Sequence, residues 1–213
     1  MNSTKRQDKG INQTRAGCKK LDDCIYSTFS SYKRFKIDVP RKEAAILVPL
    51  YFFNNDWYII FTKRTNHLPY HRGEISFPGG SREKQDFSKK ETALRETEEE
   101  IGIPRKAMTI FGKLDDQLSV ADINVTPYIA KITDLNILKH MKPQESEVEE
   151  IFHVPLHFFY RKSTFWQENW IRNKQSHKVY FYNFNGRIIW GLTARVVKNL
   201  IGMLEFCDTC KEN

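Results

Sequence analysis

The stretch GGSREKQDFSKKETALRETEEEIGI, from Gly79 to Ile103, decides how the rest of the chain is read. Its ends carry helix signals. Ser88 followed three residues later by Glu91 forms a capping box, and Gly102 with Pro104 just beyond is a stop, so the spacing predicts a helix from about Lys89 to Ile101. That helix would carry five glutamates between Glu91 and Glu100. Like charges three or four residues apart cost a helix about a few tenths of a kcal/mol per pair, so something must compensate. At about 100° per residue, Glu96, Glu99 and Glu100 fall within about a 100° sector, with Phe87, Leu94 and Ile101 on the opposite side. One face packs; the other gathers negative charge and is expected to be exposed.

Converging carboxylates suit a hard cation with oxygen ligands, Mg²⁺ or, as the alternative, Mn²⁺. A solvated acidic face is the competing reading. Two neighbours favour the cation. Gly79-Gly80, after Phe77-Pro78, lets the backbone approach closely and frees a carbonyl as a further hard ligand. Arg95, beside Glu96, can fix the rotamer of an acid without removing its charge.

Working outward, Glu43 to Phe53 and Trp57 to Lys63 read as two strands joined by the Asn54-Asn55-Asp56 turn. A loop rich in His, Pro and Gly follows from Thr65 to Gly73, then the short run Glu74 to Phe77. Downstream, Met108–Leu114, Asn124–Ile132, Thr164–Ile171 and Lys178–Phe184 are strands by their aromatic and β-branched content. Leu192 to Phe206 is a second long helical pattern, with Val196, Val197, Leu200, Ile201 and Leu204 at core spacing. Strands outnumber helices, which makes the class α+β.

The chain of 213 residues is long enough for one good core. No run approaches the length of a membrane helix and Met1 to Gln13 lacks the apolar centre of a secretory signal, so a cytoplasmic protein that does not enter a membrane is expected. The net charge of +8 is unevenly placed: residues 1–36 hold nine Lys/Arg against three acids. This arm reads as a solvated leader, with a short helix over Leu21–Tyr32; a patch for nucleic acid or phosphorylated ligands is the alternative. Cys18, Cys24, Cys207 and Cys210 lie near the two ends and read as free thiols, with a zinc site joining the termini as the minor alternative.

The pattern GG-x5-Asp86-x8-Arg95-Glu-Thr-Glu-Glu-Glu-Ile-Gly-Ile103 resembles the Nudix box, a glycine, five residues, Glu, seven residues, then Arg-Glu-apolar-x-Glu-Glu-x-Gly-apolar. Asp86 stands for the first acid, the next spacer is one residue longer, and Thr97 fills the apolar position. In these departures the chain is similar to the coenzyme A pyrophosphatase branch, whose box carries FPGG-x2-[DE]-x2-D and TALRE; here they are Phe77–Gly80, Glu83, Asp86 and Thr92–Glu96. Ile60 to Thr65 and Gly73 keep the spacing of that branch's upstream signature, while Pro69 occupies its second arginine.

The resemblance implies an α/β/α sandwich around a mixed sheet over residues 41–206, preceded by the arm of residues 1–40 and followed by a tail over 207–213. It implies Mg²⁺-dependent hydrolysis of the CoA pyrophosphate to 3′,5′-ADP and 4′-phosphopantetheine. Other nucleoside diphosphate derivatives (ADP-ribose, NADH or capped RNA) are the alternative, and a non-catalytic binding module is a third reading. Glu96 and Glu100 would be the principal metal ligands, completed by Glu99 and the Gly80 carbonyl. Arg95 would orient Glu96. Glu99 is the candidate general base, with Asp115 or Asp116 as alternatives. Lys63, Arg64, His71, Gly79 and Gly80 are candidates for contacts to a nucleotide-type substrate, and a homodimer is left open.

Overall fold

The structure, a computed structural model, describes residues 26–205. All four cysteines, most of the basic leader and the tail lie outside the described residues.

β1 (Glu43–Phe53) and β2 (Asp56–Arg64) form the expected hairpin, with Phe53 opposite Asp56. Asn54 and Asn55 turn the chain with φ of 48° and 65°. Two successive left-handed residues match the twist of the flanking strands, and Asn tolerates that conformation. β1 then pairs in parallel with β7 (Asn124–Ile132), while its other pairings are antiparallel, which makes the sheet mixed. Its order is β3 (Ile75–Ser76), β2, β1, β7, β5 (Met108–Lys113); β4 (Gly79–Ser81) joins β1, β6 (Gln117–Leu118) joins β7 and β8 (Val148–Pro155) joins β2. A second, antiparallel sheet contains β9 (Phe165–Arg172), β10 (Gln175–Phe184) and β11 (Arg187–Trp190).

Because β1 is buried on both faces, it reads as a continuous apolar run and divides its residues by parity. Ala45, Leu47 and Tyr51 pack against α2 (Lys89–Ile101), through Ala93, Leu94 and Ile101. Val48 and Leu50 belong to the opposite core, which α3 (Gly191–Leu204) closes with Val196, Val197, Leu200 and Ile201. The helices therefore cover both faces of the sheet, as the resemblance implies. Among the described residues no helix is long and apolar enough to cross a membrane.

Phe87 does not join the packing face of α2: it precedes the extended N-cap Ser88 and is 95% exposed, because the helical period starts only at Lys89. Nor do the described residues before β1, from 26 onward, stand off as a solvated arm. In α1 (residues 26–31) Tyr26 meets Phe111 edge-on at 4.6 Å, and Phe29 lies over Gly112 where a Cβ would clash. Beyond it, Asp115 accepts from the Tyr32 hydroxyl (2.6 Å) and the Phe35 N–H (2.7 Å), and Asp116 from Arg34 (2.6 Å) and the Ile37 N–H (3.1 Å).

Candidate active site

α2 is fixed at both ends by its predicted caps. Ser88 accepts from the Glu91 N–H at 3.3 Å, and Gly102, at φ 73°, donates its N–H to the Glu98 carbonyl at 3.0 Å. Between them the glutamate repulsion is settled residue by residue. Arg105 takes Glu91 (3.4 Å) and Glu98 (3.1 Å), and Arg95 takes Glu96 (3.0 Å) and Glu99 (2.9 Å). Arginines thus supply much of the compensation that the sequence assigns to a cation. Glu100 differs: it is only 3% exposed, accepts from the Gly79 backbone N–H, and has Arg64 as its nearby positive charge. Of the carboxylate face only Glu99 is exposed as expected; β4 lies against α2 and covers Glu100 and most of Glu96.

Arg95 does contact Glu96, but its main partner is Asp86. The pair is bidentate, Nε to Oδ1 and Nη2 to Oδ2, both at 3.0 Å, and both residues are buried. Asp86 also accepts from the Thr92 hydroxyl and the Glu83 N–H, each at 2.9 Å. Four hydrogen bonds, three to Oδ2 and one to Oδ1, hold this buried carboxylate, which makes the Asp86–Arg95 unit a rigid base for Glu96 and Glu99.

Glu147 is not among the site residues expected from the sequence; the backbone places it beside them. Gln144 N–H donates to the Glu100 carbonyl (2.9 Å) and Lys142 N–H to that of Ile101 (3.2 Å), which pins the chain before β8 to the end of α2. Glu147 follows in that pinned segment, and its charge acts on both Glu96 and Glu100. Burial, then Glu96 and Glu147, pushes Glu100 up to about 8, against the pull of Arg64 and the Gly79 N–H. Burial likewise raises Glu96, opposed by Arg95. Two carboxylates whose surroundings disfavour their charge, beside two more, make a site short of positive charge.

The donor set, all hard oxygens, fits a divalent cation of the Mg²⁺ type. Among the described residues, however, no three acidic or imidazole side chains stand ready-made around one point. Arg95 bridges Glu96 and Glu99, and charge ties Glu96 to Glu99 and Glu147, and Glu100 to Glu96 and Glu147.

Gly80 lies directly on Glu96: a Cβ there would come within 2.6 Å of the carboxylate carbon. Gly80→Ala should therefore displace Glu96 while the strand persists, lowering kcat by about a hundredfold, since misplacement by about 1 Å has effects of that size. Steady-state kinetics with a circular dichroism control checks it.

The substrate candidates are divided. Arg64 stands beside the carboxylates, 3.9 Å from Glu147. Lys63 pairs with Glu149 at 2.6 Å, and His71, at φ 57°, pairs with Glu74 at 2.9 Å. Asp115 and Asp116 are not free to act as bases, since the segment before β1 and Thr126 occupy them.

A model of the NUDIX domain matches residues 41–173. The chain belongs to the Nudix family. It is 37% identical over 175 residues to the uncharacterized Nudix hydrolase NudL of Yersinia enterocolitica (78% of this chain, 88% of that one), and 33% identical to NudL of Pectobacterium atrosepticum (78% and 89%). Among solved structures it is similar to a MutT/nudix family protein from Enterococcus faecalis (TM-score 0.49, 13% identity, 84% of this chain, 68% of that one). The likeness to a C. elegans Ap4A hydrolase is comparable (TM-score 0.45, 19% identity, 55% and 81%). Both are too distant to bear on substrate. As a Nudix hydrolase the chain is an enzyme, and its box runs through β4, the Asp86 loop and α2.

Proposed function

We propose that this Nudix hydrolase cleaves the pyrophosphate of CoA or a CoA derivative, with Mg²⁺ or Mn²⁺, to 3′,5′-ADP and 4′-phosphopantetheine. The observation that carries the reading is where the signature loop springs from. It leaves β2 at Arg64, beside the carboxylates, and its ends are tied by Arg64 N–H to the Glu74 carbonyl and Thr65 N–H to that of Glu147, both at 2.9 Å. Gly73 holds φ 65°, a conformation that explains a glycine there. A loop rooted in this way is suited to reading the substrate next to the pyrophosphate.

Glu96 and Glu100 would hold the cation, with the Gly80 carbonyl, Glu99 and Glu147 as further ligands, directly or through water. When bound, the cation neutralises the pyrophosphate and lowers the pKa of a water molecule. Arg95, braced by Asp86, keeps Glu96 and Glu99 in place. Arg64 takes a phosphate oxygen. Glu99 accepts the proton of the attacking water as the new P–O bond forms; the bridging P–O bond breaks and its oxygen leaves with the other phosphate. Glu99→Gln should therefore lose the acidic limb of the pH–rate profile, whereas survival of that limb in Glu99→Gln and its loss in Glu147→Gln would transfer the role to Glu147.

A substrate panel at fixed Mg²⁺ tests the assignment: CoA should show the highest kcat/KM among CoA, dephospho-CoA, ADP-ribose, NADH and capped RNA. Pro69 is exposed in the loop, so arginine can be introduced there without repacking. A charge-assisted hydrogen bond from that arginine to a phosphate contributes about 1.5–3 kcal/mol, or about ten- to a hundredfold. Pro69→Arg is expected to lower KM for CoA by such a factor and to change that for dephospho-CoA much less. A preference for ADP-ribose would instead support the broader alternative.

A further inference from the structure

On the face of the sheet opposite α2 lies a cleft of about 540 Å³, lined by Tyr32, Asp115, Tyr180, Arg195, Lys198 and Asn199 among others. Its chemistry is unlike that of the catalytic face. Arg195 is half-buried; Nη2 donates to the Leu118 carbonyl at 3.1 Å, while Nε is buried with no hydrogen-bond partner. No ion pair to Arg195 is found among the described residues, and burial depresses its pKa with only Tyr180 acting in the other direction. Lys198 stands three residues on, over the Tyr180 ring at 5.4 Å. Residues at this spacing share a helix face, and α3 contains no acid to separate the two charges.

The one carboxylate in the cleft is already committed. Asp115 accepts from the Tyr32 hydroxyl (2.6 Å), the Phe35 N–H (2.7 Å) and the Asn199 amide (3.3 Å). A partly desolvated guanidinium has a cost that a hydrogen-bonded anion would remove. Its fork matches a phosphate, and Lys198 adds a point charge beside it.

We propose that this cleft is a second, non-catalytic binding site for a phosphoanion, inorganic phosphate or the phosphate of a mononucleotide, held by Arg195 and Lys198. It lies across the sheet from Glu96 and Glu100 and does not depend on which substrate they process. Because Tyr32 and Asp115 also anchor the segment before β1, an occupant would touch both that segment and α3.

The test is calorimetric titration of the full-length protein, in metal-free buffer with chelator, with inorganic phosphate and separately with AMP. Saturable binding is expected for the wild type, weakened about tenfold or more in Arg195→Met and less in Lys198→Met, and unchanged in Glu100→Gln. The ligand should also raise the melting temperature of the wild type but not of Arg195→Met. Tighter binding of AMP than of phosphate would identify a nucleotide as the ligand. Lys198→Met changes an exposed residue and keeps the test open if Arg195→Met fails to fold. Absence of binding by both probes, wild-type affinity in both α3 variants, or loss confined to Glu100→Gln would each overturn the proposal.

Discussion

Glu100→Gln is expected to lower kcat by about three orders of magnitude or more at saturating Mg²⁺, and Glu96→Gln by a similar factor, because each removes a ligand charge from a partly desolvated site. The fold should survive both changes. In the metal-free protein Glu100→Gln should even be stabilising. Glu100 holds its proton up to about pH 8 in the folded protein but ionises near 4.5 when unfolded. Between those values the folded state binds more protons, so stability falls as pH rises, by up to about 1.4 kcal/mol per unit. Glutamine has no proton to lose. With chelator present, the variant should melt above the wild type at pH 8, and the two should converge toward pH 4.5. Wild-type turnover in Glu100→Gln would remove it from the metal site.

Asp86→Ala should cost about 3–5 kcal/mol of stability, because it leaves Arg95 buried without its bidentate partner. Turnover should fall as well, since Arg95 also holds Glu96 and Glu99. The Arg95 hydrogen bonds keep the Asp86 carboxyl well below the usual range, against the effect of burial. A depressed carboxyl contributes stability that is complete above its unfolded pKa and is lost as pH falls through the folded value. Urea unfolding from pH 7 down into acid should therefore show a steeper loss in the wild type than in Asp86→Asn. Equal stability of Asp86→Ala and wild type would mean that the pair does not brace the site.

Much of this arrangement is legible in sequence because local chemistry decides it. The caps of α2 and the aromatic and β-branched content of β7 specify their own boundaries, and both elements have the predicted limits. What the sequence does not reveal depends on tertiary contact. β8 is hidden because its glutamates interrupt an apolar pattern, although Val148, Phe152 and Val154 point inward from alternate positions. The burial of Glu100 follows from β4 closing over α2, which no helical period encodes. Glu147 owes its position to backbone hydrogen bonds at the end of α2, through residues with no motif of their own. Pairing of Glu91 and Glu98 with Arg105 joins positions seven and fourteen residues apart, beyond the reach of one helical turn.

The most direct test of the central claim is product analysis after incubation of CoA with the purified enzyme and Mg²⁺ in ¹⁸O-water. Water attack at the pyrophosphate predicts 3′,5′-ADP and 4′-phosphopantetheine in equal amounts, with one ¹⁸O atom in one of the two and no products without a divalent cation. CoA recovered intact from enzyme that hydrolyses ADP-ribose under the same conditions would contradict it.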